Sequence, residues 1–231
     1  MSLSHSSFTN VTADATKLPF LDNSVDLIIT HPPYIGIDTS RYGGDPKLQI
    51  NYGGKKKMVK LLTKAMEEMR RVLKDQGSIF IATNNSEEMS QRVVLAAVDK
   101  VGLRYMGSIF QHSYDFEPDF KPEERLVENS VTVWHHFSIK DIYYNPFMVK
   151  KFNDPVWRIP FDNQDGILDS INRAIPERFI QMFSKPGAVV LDPFGGSGVV
   201  AVTACELGRK GISSDVSPAQ TIAAEKRYKK L

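Results

Sequence analysis

Short apolar runs alternate along the chain with stretches in which apolar residues recur at helical spacing. The runs Val25–Thr30, 78–83 and 188–191 contain mainly β-branched and aliphatic residues, which is typical of strands buried on both faces of a parallel sheet. In residues 58–73 the apolar side chains fall on one face of a 3.6-residue repeat, which predicts an amphipathic helix. This alternation predicts an α/β fold with a mostly parallel, doubly wound sheet and helices on both of its faces.

Weaker patterns predict the remaining elements and the loops between them. Further strands are predicted at 8–13, 104–112, 130–137 and 210–214, and further helices at 86–101, 167–184, 199–207 and from Pro218 onward. Ser86 and Ser217 are the predicted N-caps of two of these helices. The segment 35–54 is long, polar and glycine-rich, which indicates a mobile lid or substrate loop. The acidic, proline-rich residues 115–124 predict a solvated loop.

Composition narrows the class of protein only slightly. The 231 residues suit one sizeable domain, and 42% hydrophobic with 24% charged residues is ordinary for a globular chain. A net charge of +2 allows a nucleic-acid partner without demanding one. The single cysteine, Cys205, excludes a disulfide framework and a cysteine-based zinc site, and we expect it in the core. The chain has no apolar run of membrane-spanning length, and residues 1–7 do not form a signal peptide, so we expect a cytoplasmic protein with no membrane partner.

The candidate chemistry concentrates in residues 188–198, A-V-V-L-D-P-F-G-G-S-G. A short strand ends at Asp192 and is followed by a glycine-rich loop and a helix, so the loop's N–H groups are predicted to face a ligand at a helix N-terminus. About twenty residues on, Asp215 ends the next strand, where an acid can accept hydrogen bonds from a ribose. The spacing of the glycines matches neither a P-loop nor the G-x-G-x-x-G motif. In the alternative interpretation, the glycines only form a tight turn.

Together with Asp215, D-P-F-G-G-S-G resembles the cofactor motif of S-adenosylmethionine (SAM)-dependent amino-methyltransferases. Far upstream, Thr30-His31-Pro32-Pro33-Tyr34 resembles the [D/N/S]-P-P-[Y/F] motif of the enzymes that methylate exocyclic amines of adenine or cytosine in DNA. The proline motif precedes the cofactor motif, as in the permuted, β-type members of that family. The resemblance implies their circularly permuted, seven-stranded Rossmann-like fold, with both motifs meeting at the sheet's switch point.

The resemblance also assigns roles to particular residues. The cofactor would be bound by Asp14, Thr30, Ile175, Pro176, Asp192, Pro193, Phe194, Gly195, Gly196, Ser197, Gly198 and Asp215. The catalytic residues would be His31, Pro32, Pro33 and Tyr34. No metal site is expected. One methyltransferase domain is implied, with a catalytic half (1–140), a short recognition or linker segment (141–165) and a cofactor-binding half (166–231).

The catalytic motif suits the chemistry because an exocyclic base amine is a poor nucleophile whose lone pair is delocalised into the ring. In the family, two acceptors hold the amine hydrogens and aim the lone pair, and here these would be the His31 side chain and the Pro32 carbonyl. Tyr34 would stack on the target base, which must leave the DNA duplex to reach the site.

Two departures from the family pattern leave alternatives open. His31 stands where the family has Asp, Asn or Ser, and only a neutral imidazole can accept a hydrogen bond. The protein could therefore be a SAM-binding module that is non-catalytic or needs a partner subunit, and a homodimer is a further possibility. The Thr30 context favours cytosine over adenine, while RNA or a protein amide is a third substrate class that the motif order disfavours.

The second departure is the size of residues 141–165, the only candidate for a target-recognition region, which is too short for a separate domain. Residues 55–57 are three lysines that we interpret as a solvated helix start rather than a phosphate contact. His112, His135 and His136 are expected to be strand residues, because their spacing does not suit a metal site. The chain starts close to Asp14, one of the expected cofactor-binding residues. This start is also compatible with a fragment of a longer protein.

Overall fold

The computed structural model describes residues 7–33, 54–84, 87–114, 131–160 and 171–231. Within them, eight strands form one sheet in the order β1-β8-β7-β2-β3-β5-β4-β6. The strands are β1 (Phe8–Thr12), β2 (Val25–Thr30), β3 (Leu73–Asn84), β4 (Arg104–Tyr114), β5 (Val131–Ser138), β6 (Val156–Pro160), β7 (Val189–Asp192) and β8 (Lys210–Asp215). The glycine-rich loop follows β7, which lies beside β2 at the centre of the sheet.

Helices connect most of these strands. They are α1 (Gly54–Val72), α2 (Glu87–Leu95), α3 (Pro146–Lys151), α4 (Ala174–Phe183), α5 (Val199–Glu206) and α6 (Pro218–Tyr228). A π-helical turn, Ala96–Val101, extends α2 and ends at Gly102, which has φ +72° and provides the left-handed conformation of a helix end. In the described part of the chain, no helix is long and apolar enough to cross a membrane.

The predicted α/β class with a mostly parallel sheet is confirmed. All neighbouring strands in the described sheet run parallel except at β5, which is antiparallel to both β3 and β4. The number of strands differs from the expected seven, because β6 adds an eighth strand parallel to β4. β6 lies inside residues 141–165, where the pattern alternates for only five residues, with Trp157 and Ile159 buried.

Apolar side chains cover both faces of the sheet. On one face α1 packs its predicted stripe, including Met58, Leu62 and Met69, against Ile28 and Ile79. On the other face, α4 and α5 pack against the strands with a cluster of buried residues that includes Leu27, Trp134, Trp157, Phe179 and Val200. Cys205 is buried, as expected. The central strands are therefore buried on both faces, and their carboxyl ends form an edge at which side chains can converge.

One predicted helix start is wrong, and one predicted N-cap residue does not make its capping hydrogen bond. The helix predicted over 167–184 begins at Ala174 in the structure, because the Asn172 side chain accepts a hydrogen bond from the Ala174 N–H and residues 171–173 are not helical. Ser217 precedes α6 as predicted, but its hydroxyl makes no capping hydrogen bond. The neighbouring Asp215 accepts from the Ser217 N–H instead. Ser86 and nearly all of the predicted lid, 35–54, lie outside the described residues.

Candidate active site

The ends of β2 and β7 are joined by a buried hydrogen bond between the two sequence motifs. Ile28 pairs with Leu191, which places Thr30 beside the end of β7. The Thr30 hydroxyl donates to Asp192 Oδ1 at 2.7 Å, and the same oxygen accepts from the Phe194 N–H at 3.0 Å. Burial raises the pKa of Asp192 to about 7, against the opposing effect of the Thr30 hydrogen bond. The proline motif and the glycine-rich motif, 162 residues apart in the chain, therefore form one site.

Asp215 stands at the end of β8 and organises the turn around it. Its two carboxylate oxygens accept from the Gly196 N–H at 3.0 Å and the Ser217 N–H at 2.8 Å. Its backbone carbonyl accepts from the Ala13 N–H, so the chain just before Asp14 lies beside it. Burial raises the pKa of Asp215, and the two amide hydrogen bonds oppose that shift. A carboxylate with two amide donors retains lone pairs for further acceptance.

Asp14 is exposed, and its carboxylate is partly engaged by its own turn. Its Oδ1 accepts from both the N–H and the hydroxyl of Thr16 at 2.8 Å. This turn follows β1, whose Thr12 pairs with Asp215 across the sheet. Asp14 and Asp215 therefore belong to the same edge of the sheet, as the proposed adenine and ribose positions of one cofactor require.

The glycine-rich loop is compressed between β8 and α6. A Cβ atom at Gly195 would lie 2.1 Å from Ser213 Oγ, and one at Gly198 would lie 2.7 Å from the Ala224 Cβ. Gly198 also has φ +78°, a conformation that L residues rarely adopt. Gly196, with φ +48°, would meet nothing closer than 3.9 Å. Gly195 and Gly198 are thus required by packing against the protein itself, and Gly196 is the open position of the loop.

The N–H groups of these glycines do not point towards a ligand, which corrects the sequence prediction. The Gly195 N–H donates to the Ser214 carbonyl, the Gly196 N–H to Asp215, and the Gly198 N–H to the Gly195 carbonyl. The tight packing on β8 turns these donors inward. These three glycine N–H groups are consequently not available to a ligand.

Helix α6 supports the loop from behind, a contribution that the sequence analysis missed. Arg227 donates from Nε to the Ser197 carbonyl at 2.9 Å and from Nη2 to the Ser197 hydroxyl at 3.3 Å. Ala224 packs on Gly198, and Gln220 Oε1 is the nearest atom to the open side of Gly196. The spacing of 220, 224 and 227 places these residues on one helix face. The spacing of these three residues is the only signal in the sequence. It can be interpreted only when the loop is known to pack on this face of α6.

His31 follows β2 directly and lies on the same edge as Asp192. Its ring is half-buried, with its centroid 5.9 Å from that of the buried Trp134 of β5. Pro32 is buried and Pro33 is half-buried. Tyr34 lies outside the described residues. Trp134 is a second site neighbour that sequence reasoning missed, because an apolar strand residue carries no signal of its position.

The remaining predicted site residues line the neighbouring core. Ile175 and Pro176 are buried in the first turn of α4, which precedes β7 and therefore begins at the carboxyl edge of the sheet. Pro193 and Ser197 are buried and Phe194 is half-buried. These positions place apolar side chains beside the loop, on the side where the methionine part of a cofactor is expected.

The other candidates occupy the expected strands. His112 lies in β4, and His135 and His136 lie in β5. Burial lowers the pKa of His135 to about 4 and that of His136 to about 3. Among the described residues, no group of three or more His, Cys, Asp or Glu side chains is arranged to hold a metal ion.

A model of the DNA methylase family matches residues 25–171 and 169–226 of the chain. The chain is 25% identical to the type II methyltransferase M.SmaI of Serratia marcescens, over 90% of this chain and 85% of that protein. It is 27% identical to the DNA adenine methyltransferase YhdJ of Escherichia coli (strain K12), over 89% of this chain and 76% of that protein.

Solved structures share the fold. The cytosine-N4-specific PvuII DNA methyltransferase aligns with a TM-score of 0.81 at 20% identity, covering 96% of this chain and 86% of that one. A protein of Thermus thermophilus in complex with S-adenosyl-L-methionine aligns with a TM-score of 0.72 at 20% identity, covering 97% of this chain and 93% of that one. The chain therefore shares its overall fold with these proteins.

Proposed function

The chain belongs to the DNA methylase family, and on that premise we propose that it transfers a methyl group from SAM to the exocyclic amine of cytosine (N4) or adenine (N6) in DNA. The hydrogen bond between Thr30 and Asp192 carries this proposal. It fixes the end of the strand that continues into His31 and Pro32 against the strand that opens the glycine-rich loop. A methyl donor and an acceptor amine bound at the two motifs would then meet at one edge of the sheet.

The described residues fit SAM as the cofactor. Asp215 offers a carboxylate, fixed by two amide donors, to the ribose hydroxyls. Gly196 leaves the loop open at one position, while the loop's inward N–H groups suit a cofactor that has no phosphate. When bound, SAM supplies an electrophilic methyl group on a sulfonium. Asp14 would approach the adenine, and Ile175 and Pro176 would close the methionine side.

The protein's own part in the reaction is to hold the amine. His31 would accept one amine hydrogen through its unprotonated ring nitrogen, and the Pro32 carbonyl would accept the other. Trp134, beside the His31 ring, limits the positions that the imidazole can take. Pro33 has no N–H to compete for the amine. These acceptors draw the nitrogen towards tetrahedral geometry and direct its lone pair at the methyl group.

The target base would be flipped out of the duplex to reach this edge, with Tyr34 stacked on it. Cytosine is favoured over adenine by the T-H-P-P-Y context. Residues 141–165 are the proposed recognition or linker segment, although β6 within it also belongs to the sheet. A homodimer or partner subunit would supply recognition that this short segment does not. The cytoplasmic location expected from the sequence stays a prediction.

Incubation of the purified protein with a mixed DNA library and SAM labelled in the methyl group tests this function. Digestion to nucleosides should then show label in N4-methylcytosine or N6-methyladenine. Asp215→Ala is the matched control, because it leaves the catalytic motif intact and removes the proposed ribose acceptor. Label in RNA or protein but not in DNA would contradict the proposal.

His31 favours a second candidate, a SAM-binding subunit that does not itself transfer methyl groups. A histidine is bulkier than the Asp, Asn or Ser of the family motif and accepts only when neutral. This candidate is supported if the protein binds SAM in calorimetry but transfers no methyl label to DNA. An added partner protein should then also fail to produce methyl transfer.

A further inference from the structure

Helix α1 carries a run of positive charge on its solvent side. Lys56, Lys60 and Lys64 are exposed and spaced four residues apart, so they form one face of the helix, which we call the basic stripe. Lys57 is also exposed, and α1 has no acidic residue before Glu67. Within the described residues, the three lysines of the basic stripe make no ion pair or hydrogen bond.

The basic stripe lies towards the catalytic edge of the sheet. The last residues of α1 are at the opposite edge, because the carbonyls of Arg71 and Val72 accept from the N–H groups of Asn23 and Ser24, just before β2 begins. From there α1 runs back along the sheet for 19 residues, about 28 Å. The six residues of β2 span about 20 Å. The first turns of α1 therefore reach the carboxyl edge, where β2 ends and His31 follows.

The other end of α1 has a different charge pattern. Arg71 forms ion pairs with Glu68 and Asp22, and its side chain also donates to the carbonyls of Leu18 and Phe20. Those charges therefore stabilise the loop before β2. In the described part of the chain, Lys56, Lys60 and Lys64 therefore precede the last turn of α1 without an ion pair, whereas Arg71 in that last turn is ion-paired. This difference indicates that the basic stripe serves an external anion.

We propose that the basic stripe binds the phosphate backbone of the DNA that flanks the target base. This inference rests on the proposed function, which supplies DNA as the polyanion. The three ammonium groups are about 6 Å apart along the helix, so they can follow a strand of phosphates. Such contacts carry no sequence information, but they position the duplex and speed its association. They would supply DNA affinity that residues 141–165 are too short to provide, and they would leave sequence recognition to other contacts.

The test compares the triple variant K56Q/K60Q/K64Q with the control K226Q/K229Q/K230Q. The control removes three exposed lysines near the end of α6, which lies at the opposite edge because Tyr228 stacks on Phe8 at the start of β1. DNA binding is measured by fluorescence anisotropy with a labelled duplex over a range of salt concentrations. SAM affinity, measured by calorimetry, shows that each variant is folded.

The stripe variant should bind DNA at least about tenfold more weakly than the wild type, and the slope of log K against log salt should fall by up to about 2.7, at about 0.9 per phosphate contact. The control should keep the wild-type slope, and both should keep the wild-type SAM affinity. The single variant K60E should weaken DNA binding in the same direction. Equal slopes for the wild type and the stripe variant, or equal losses in both triple variants, would overturn the proposal.

This experiment is separable from the test of the proposed function. A wild type that binds DNA with the expected salt slope but transfers no methyl group would refute the catalytic proposal and leave the basic stripe standing. A wild type that methylates DNA, with a stripe variant unchanged in DNA affinity and in KM for DNA, would refute only the basic stripe.

Discussion

The glycine-rich loop and the catalytic motif are held in place in different ways. The loop is fixed by the surrounding fold, since Gly195 and Gly198 pack directly on β8 and α6, and Asp215 accepts from the backbone of the loop itself. The catalytic motif is fixed at its base, where Thr30 is hydrogen-bonded to Asp192, and then leaves the sheet at His31. The position of the glycine-rich loop therefore depends on packing, whereas the proposed activity of the catalytic motif depends on the identity of one side chain, His31.

Titratable groups of opposite character are buried where the two motifs meet and in β5. The buried acid Asp192 joins the motifs, and its pKa is raised to about 7. In β5, burial lowers the pKa of His135 to about 4 and that of His136 to about 3. His135 is hydrogen-bonded through its ring nitrogens to Thr83 and Ser108. Burial therefore favours the neutral forms of Asp192 and of the two β5 histidines. The stability that depends on these groups should change with pH in opposite directions.

The largest expected effect on cofactor binding comes from Asp215. Asp215→Ala removes the proposed ribose acceptor and the hydrogen bonds from the Gly196 and Ser217 N–H groups. It should weaken SAM binding by about 1.5–3 kcal/mol, or roughly 10- to 150-fold. Titration calorimetry on both proteins measures this change. Asp154→Ala, which removes an exposed carboxylate that only caps the start of β6, is the control and should bind SAM like the wild type. Equal SAM affinities for Asp215→Ala and wild type would rule out the ribose assignment.

Packing of the loop can be tested by adding a single methyl group. Gly195→Ala should destabilise the fold by about 1–3 kcal/mol, because the new Cβ would overlap Ser213 Oγ. The double variant Gly195→Ala/Ser213→Gly removes the overlapping atom and should recover part of that stability. Urea unfolding measures both. If the single variant is as stable as the wild type, the loop is not held by this contact.

Asp192 and His135 should give the stability of the protein opposite pH dependences. Between about pH 4 and 6.5, unfolded histidines bind protons that folded His135 does not, so they lower stability as pH falls. Folded Asp192 binds a proton that the unfolded acid has lost, so it lowers stability as pH rises from about 4 to about 7. His135→Gln should make the free energy of unfolding rise less steeply with pH in this window. Asp192→Asn should make the free energy of unfolding rise more steeply. Each slope should change by up to about 1.4 kcal/mol per pH unit. Urea unfolding at a series of pH values checks the signs, and parallel curves for all three proteins would contradict them.

A smaller effect is expected behind the loop. Arg227→Met removes the two hydrogen bonds to Ser197 and should weaken SAM binding by about 1 kcal/mol, or about fivefold. Lys226→Met, an exposed neighbour on the same helix, is the control and should leave the affinity unchanged. An Arg227→Met protein that melts earlier but binds SAM normally would show that the arginine stabilises α6 without positioning the loop.

The sequence predicted the parts of the fold that depend on local pattern. Val25–Thr30 is predicted to the residue, because a continuous β-branched run has few alternatives. β6 was not predicted as a strand, because its five residues follow Pro155 and end at Pro160 and so show too short an alternating pattern. Its pairing with β4 is also long-range, so the local sequence does not indicate it. The inward direction of the loop N–H groups depends on Ser214 and Asp215, which the motif alone does not position. Contacts between distant segments, such as Arg227 with Ser197, leave no local signal.

The central claim is that this chain methylates DNA through His31. Its most direct test is the single-turnover rate of methyl transfer to DNA at saturating SAM, for the wild type, His31→Asn and His31→Ala. We expect the wild type to transfer the methyl group, with a rate that falls at acid pH, because a protonated imidazole cannot accept the amine hydrogen. His31→Ala should be slower by about two to three powers of ten at unchanged SAM affinity. A wild type that binds SAM and transfers nothing to DNA, beside an active His31→Asn protein, would contradict the claim.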